Sequence, residues 1–349
     1  MSDDEPVRAL NYSAHALEDL RALESSWQRL GWSRSVSTLS SVIGLLERSV
    51  KFILPNGCAL IAPGDLREAH AELARLPFPC TAFEVPWASD RFAEHRLGGV
   101  PQAEANQRIA LCWELGAIPE VTPGMDRLLD HFPGGGTAIV SIYRGPATGG
   151  WTIGLGGLFC PYEGRLLGAG EQGDWAPMSI AAREATIGAG LSDDRAKMLR
   201  TEPFRLFPEY FAASVEQVYG TEDAAFASII TDTQDESSVQ LQVCALLACA
   251  NVATEEIEPS EKLNKKRRAK GNQPFFSYRV FTLATDRAAH PDRAAQGGTQ
   301  ASPRMHLRRG HLRRLNNGRL IWVRPAVVSA NSPRGVIDKD YRVDPGDNG

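Results

Sequence analysis

The sequence has 349 residues, 43% of them hydrophobic, and a formal net charge of −4. That suffices for one large core with a small one beside it, or for two domains. No run approaches the roughly 18 consecutive apolar residues of a membrane-spanning helix, and the acidic start MSDDEPVRAL lacks the charged-then-apolar pattern of a secretory signal, so a cytoplasmic protein is expected.

In chain order, residues 13–31 carry Leu17, Leu20, Leu23, Trp27 and Leu30 at helical spacing, with Ser13 as the expected N-cap and Gly31 as the expected stop. Residues 37–54 read as a second helix, or as a helix running into a strand VKFIL, closed by a Pro-Asn-Gly turn at 55–57. Residues 64–76 form a third amphipathic pattern, with His70 as a surface or partly buried structural histidine. The period then changes. Residues 80–87, 108–115, 137–144 and 151–159 are short, rich in branched and aromatic side chains, and bounded by Pro and Gly, as strands of a mostly antiparallel sheet would be. Residues 174–226 read as helical with breaks at Pro203 and Pro208, and 237–258 as a long apolar helix. The fold class expected is α+β, with helices packed on a mostly antiparallel sheet and a small basic β-rich C-terminal domain.

Charge divides the chain. Residues 261–349 hold 19 Lys+Arg against 7 Asp+Glu, about +12; the other 260 residues hold 19 against 35, about −16. The expected organisation is an acidic helix-and-sheet protein-recognition domain over 1–258, a basic linker over 259–274 (PSEKLNKKRRAKGNQP), and a basic β-rich domain over 275–349. The C-terminal domain begins with a strand FFSYRVFTL at 275–283. A loop-like stretch follows, then two apolar-basic runs around an Asn-Gly hairpin signal at 317–318.

Several motifs are excluded. The six cysteines include no CxxC and no zinc-ligand spacing with histidine, so reduced buried thiols are expected, with no metal and no cofactor. PGGGTAIV at 133–140 lacks the GK[ST] of a phosphate loop. GLGGLF at 154–159 misses the GxGxxG spacing and lies inside an apparent strand, so both read as turns or bulges.

The basic part carries the chemistry. Two histidines and four arginines fall within nine residues, His306 to Arg314. Metal-free RNA cleavage needs a base, an acid, and cations for the charge that grows on phosphate. Histidine titrates near neutrality, and the planar arginine fork matches phosphate oxygens. His306, His311, Arg308, Lys339 and Tyr341 are the candidate catalytic set, with Tyr341 orienting the phosphate or donating a proton. Lys265, Lys266, Arg267, Arg268, Lys270, Arg309, Arg313 and Arg314 are the candidate nucleic-acid contacts. The five-residue spacing of the histidines puts them on opposite faces of one regular strand unless Gly310 bends it. Binding, cleavage and a merely soluble basic hairpin all remain open on these residues.

The ordered set NKKRRAKGNQPFFSYRVFTL, SPRMHLRRGHLRRLNNGRLIWVRPAVV and GVIDKDYRV, within 262–343, resembles a family of phage and mobile-element proteins that includes the second type V-A anti-CRISPR protein, an inhibitor of Cas12a. The residues that match its pattern are His306, Arg308, Arg309, Gly310, His311, Arg313, Arg314, Lys339, Asp340 and Tyr341. The resemblance implies an inhibitor in the bacterial host cytoplasm. It would recognise a nascent polypeptide segment of a Cas12a-type nuclease and lower its production through its mRNA, with RNA or the ribosome as second partner. The alternatives are a metal-free ribonuclease and a non-catalytic binding protein.

Overall fold

The computed structural model describes residues 9–58, 60–61, 68–87, 95–97, 100–102, 105–145, 149–162, 166–167, 198–283, 306–308, 311–315, 318–323 and 326–328. The chain forms two compact units, one of residues 1–248 with 254–282 and one of residues 249–253 with 283–349.

The larger unit is built on an eight-stranded sheet. Its strands are β1 (Val50–Ile53), β2 (Cys80–Pro86), β5 (Gln107–Glu114), β6 (Gly136–Arg144), β7 (Trp151–Pro161), β10 (Glu202–Arg205), β11 (Val252–Ile257) and β12 (Tyr278–Leu283). Two-residue and three-residue strands β3 (His95–Leu97), β4 (Val100–Gln102), β8 (Leu166–Leu167) and β9 (Met198–Leu199) pair off separately. The order in the main sheet is β10-β7-β6-β5-β2-β1-β12-β11. The run from β2 to β10 is antiparallel, and β1 pairs in parallel with both β2 and β12. The fold class is therefore α+β with a mostly antiparallel sheet.

Helices cover both faces of this sheet. α1 (Tyr12–Arg29) and α2 (Ser33–Arg48) set Leu17, Leu20, Leu39, Val42 and Leu46 against Ala82, Ile109, Leu111, Trp113 and Val140. On the other face lies the long helix α6 (Glu222–Leu247), whose Ile229 meets Leu155 and whose Ile230 meets Leu158. Successive strand residues point to opposite faces, so Ile109, Leu111 and Trp113 serve the first core while Arg108, Ala110 and Cys112 turn toward α6. Cover on both sides explains why β5, β6 and β7 are buried almost without interruption. Four shorter helices complete the described set: α3 (Glu68–Leu73), α4 (Leu128–His131), α5 (Pro208–Ser214) and α7 (Glu261–Ala269).

Glycine matters most in β7. A Cβ on Gly157 would lie 2.2 Å from the Ile139 carbonyl oxygen, and one on Gly156 would lie 2.1 Å from that of Phe204. The GLGGLF stretch is thus a close-packed strand beside a bulge, where the β6–β7 register shifts between Val140 and Ile142.

Several expectations need correction. The start of α1 is capped by Glu84 of β2, which accepts the backbone N–H of Tyr12 at 3.0 Å and of Ser13 at 2.9 Å, and not by the Ser13 side chain. Gly31 does end α1: at φ +77° it lets its own N–H reach Gln28 O and the Trp32 N–H reach Trp27 O, a Schellman ending. His70 is buried, at 4% exposure. Residues 174–197 of the stretch expected to be helical lie outside the described residues, and Glu202–Arg205 is a strand. The long helix starts at Glu222, where the Thr221 hydroxyl accepts the Ala224 N–H, and it ends at Leu247. Val252–Ile257, with β-branched Val252, Thr254 and Ile257, is a strand.

The segment 259–274 contains a helix, Glu261–Ala269, which Gly271 closes at φ +73°. The strand that follows joins the main sheet through Phe52↔Arg279, because its apolar residues Tyr278 and Val280 pack with Ile53. The larger compact unit includes residues 254–282.

All six cysteines are free thiols and five are buried. Burial pushes Cys58, Cys80 and Cys160 up to about 12, which makes them inert as nucleophiles.

Candidate functional site

In the smaller unit, the run HLRRGHLRR divides between two ladders. β13 (His306–Arg308) pairs antiparallel with β16 (Ala326–Val328), placing His306 opposite Val328 and Arg308 opposite Ala326. β14 (His311–Arg314) pairs antiparallel with β15 (Leu320–Val323), placing His311 opposite Val323, Arg313 opposite Ile321 and Arg314 opposite Leu320. The turn between β14 and β15 is held by the Leu315 N–H to Arg319 O at 2.8 Å, with Gly318 at φ +82°. The Asn-Gly signal thus marks a real hairpin. Within the same unit the Ala250 N–H donates to Leu320 O at 2.9 Å. Arg313 is exposed. Each histidine begins its own strand, so the parity rule for a single strand does not govern the pair. Arg309, Gly310, Lys339, Asp340 and Tyr341 lie outside the described residues.

The other candidate cations sit on the larger unit, on α7. Asn264 is buried and docks this helix: its Nδ2 donates to Phe275 O at 2.9 Å, and the Phe275 N–H returns to its Oδ1 at 2.7 Å. Arg267 faces inward. Its guanidinium donates to Gln273 O at 2.6 Å and to Glu18 Oε1 at 2.8 Å, and lies 4.2 Å from the centre of the Phe275 ring. It is thus an anchor between α7 and α1. Lys262, Lys265, Lys266, Arg268 and Lys270 are exposed, and so is Leu263 at 50%. Lys262, Lys266 and Lys270 recur every fourth residue, which lines them along one side of the helix. Cations in a last turn also favour the helix dipole, so part of this pattern stabilises α7 itself.

A third cluster escaped the sequence reading. Arg108 of β5 makes a bidentate pair with Glu236 of α6, at 2.6 and 2.9 Å, and reaches Asp235 at 3.2 Å and Asp232 O at 2.6 Å. Ser141, at the β6 bulge, donates to Glu236 at 3.0 Å. Burial alone would lower the Arg108 pKa, but Glu236 and Asp235 outweigh it and hold the guanidinium charged. Burial pushes Asp232 up to about 7 against the pull of Arg108. The signal available in the sequence was an arginine opening an apolar strand and three carboxylates within one helical turn, residues that only the fold brings together. Its donors and acceptors are mutually satisfied, so it ties α6 to the sheet.

Among the described residues no group of three or more His, Cys, Asp or Glu is placed to hold a metal ion, and no helix is long and apolar enough to cross a membrane.

These features define an α+β protein of two units, a sheet unit carrying a cationic helix and a smaller unit carrying paired basic strands. Residues 59–330, most of the chain and parts of both units, match the model of the AcrVA2-like family, described as the anti-CRISPR type V subtype A2 family. The chain belongs to that family and is an anti-CRISPR-type protein, which implies a Cas-type target. No curated protein and no solved structure matches it.

Proposed function

We propose that this phage protein inhibits a Cas12a-type nuclease by recognising a segment of its nascent polypeptide and lowering its production through the mRNA being translated, in the cytoplasm of the bacterial host. The observation that carries the reading is the family match across 59–330, which takes in the main sheet from β2 onward, the cationic helix and the paired basic strands together. In this reading the acidic sheet unit meets the polypeptide. The exposed lysines and Arg268 of α7, with Arg309, Arg313 and Arg314, meet the phosphates of RNA or the ribosome. Cations neutralising phosphates release counterions, so this contact weakens steeply with salt.

A second reading, metal-independent RNA cleavage by His306 and His311 with Arg308, Lys339 and Tyr341, draws support from one observation. The two histidines head separate strands and are therefore free of the opposite-face constraint of a single strand. In cleavage one imidazole takes the 2′-hydroxyl proton as the oxygen attacks phosphorus, and the other protonates the departing 5′ oxygen.

The test is a cell-free translation reaction programmed with a Cas12a-type message and an unrelated message, with and without the purified full-length chain. Selective loss of the first product and of its mRNA is expected. Equal yields of both products would refute the reading. Incubating the protein with labelled mRNA alone in EDTA separates the mechanisms: products ending in 2′,3′-cyclic phosphate that vanish in His306→Ala/His311→Ala assign cleavage to this chain. Intact RNA that is bound in a salt-sensitive manner assigns it binding alone.

A further inference from the structure

One cavity of the larger unit is absorbed by none of this. It measures about 370 Å³ and lies where the turn before α4, α4 itself and β10 meet. Its floor is apolar: Met125 is 4% exposed and Phe204 8%, with Leu128 half-buried beside them. Its rim carries two guanidinium groups. Arg127 of the turn before α4 and Arg205 of β10 are exposed, as is His131 of α4. Among the described residues no carboxylate lines it. The side chains of Arg127 and Arg205 make no hydrogen bond or ion pair with a described residue, whereas Glu202 on the same strand as Arg205 is engaged by Arg200 at 3.6 Å. The unit carrying this rim is strongly acidic in total, so a cavity with cations and no acid in its lining runs against the composition around it.

We infer that this cavity anchors a peptide through an acidic side chain beside a bulky apolar one. The apolar side chain would seat on Met125, Leu128 and Phe204, and the carboxylate would take the guanidinium groups of Arg127 and Arg205, whose planar forks fit it. Methionine in the floor suits this, because its flexible thioether adapts to different apolar guests. A phosphate site is less well matched. The backbone donors that a phosphate would use are already taken: the Gly124 N–H gives to Glu120 Oε1 at 2.6 Å and the Asp126 N–H to the same oxygen at 3.4 Å. The inference rests on the reading of the larger unit as a polypeptide receptor and deepens it by naming the chemistry recognised.

The test uses the full chain with its five methionines labelled at the methyl carbon, and the Met125 signal assigned by Met125→Leu. An N-acetylated, C-amidated dipeptide of aspartate and phenylalanine is titrated in, beside its asparagine analogue and inorganic phosphate. A saturable shift of the Met125 methyl is expected, at least tenfold weaker with the asparagine analogue and at least tenfold weaker in Arg127→Ala/Arg205→Ala. No shift, equal response to the asparagine analogue, an unchanged double variant, or tighter saturation by phosphate would each overturn it. The double variant is also run in the translation assay. Failure of the peptides with selective loss of the effector intact removes this inference alone, while peptide binding without any effect on the effector removes the functional reading.

Discussion

Ser35 and Glu209 cap each other's helices across the structure. Glu209, in the first turn of α5, accepts the backbone N–H of Arg34 at 3.2 Å and of Ser35 at 2.8 Å at the start of α2. The Ser35 hydroxyl donates to that carboxylate at 2.6 Å, and its oxygen accepts the Glu209 N–H at 3.1 Å and the Tyr210 N–H at 3.4 Å. Neither helix has a side-chain cap from its own preceding residue. Two helices 174 residues apart in sequence therefore supply each other's missing acceptors.

Ser35→Ala removes the acceptor of one helix start and a donor to the cap of the other. A loss of about 1–2 kcal/mol is expected, read as a fall in the thermal midpoint. An unchanged midpoint would mean that water replaces both caps without cost.

The same pair predicts an acid dependence. Burial acts to raise the Glu209 carboxyl, but the hydrogen bonds from Ser35 and Arg34 win and hold it below its ordinary 4.5. A depressed folded pKa stabilises above the unfolded value and is lost as pH falls through the folded one. Comparing wild type with Glu209→Gln, the stability difference should shrink as pH drops below about 4.5. A constant difference from pH 7 to pH 3 would contradict this.

Asp232 carries the opposite sign. Its pKa is raised to about 7 from an ordinary 3.8, so the folded state holds a proton that the unfolded state has released. Its contribution to stability therefore declines as pH rises from about 4 through 7. Asp232→Asn, which needs no such proton, should gain on wild type between pH 5 and pH 8 in denaturant midpoint. Equal gains at both pH values would show that the carboxyl is ionised throughout.

Gly157→Ala should destabilise by about 1–3 kcal/mol or more, because a Cβ there would stand 2.2 Å from Ile139 O and 2.7 Å from the Phe204 ring, and a strand backbone cannot yield that distance. Gly149→Ala is the control. Its φ of +66° costs strain, yet nothing stands within 4 Å of the added carbon. A Gly157→Ala variant no less stable than Gly149→Ala would count against the close packing of β7 on β6.

Glu84→Ala leaves the Tyr12 and Ser13 N–H groups buried without an acceptor, which should cost about 2 kcal/mol or more. Hydrogen exchange at these two amides reads the same loss locally. Protection as in wild type would show that another acceptor takes over.

Local pattern was sufficient wherever one element's own residues decide its form. Leu17, Leu20 and Trp27 mark α1 by their spacing, and Gly31 stops it because only glycine takes a positive φ there without strain. The branched and aromatic runs mark β2, β5, β6 and β7, and the Asn-Gly pair marks the β14–β15 hairpin. The family pattern in 262–343 was also legible, since ordered motifs survive without knowledge of where they fold.

What could not be read locally were the relations between distant segments. A basic run such as 262–270 looks the same as linker or helix until Asn264 and Arg267 find Phe275, Gln273 and Glu18. The strand after it resembles any apolar strand, and its place beside β1 is set by packing with residues over 200 positions away, such as Ile53 with Tyr278 and Val280. Arg108 meets Glu236, Glu84 meets Tyr12, and Arg127 shares a cavity with Arg205 for the same reason. Local propensity acts over a few residues of chain. Charge pairing, capping from afar and the shape of a cavity depend on distances in space, which exist only once the sheet has ordered its strands.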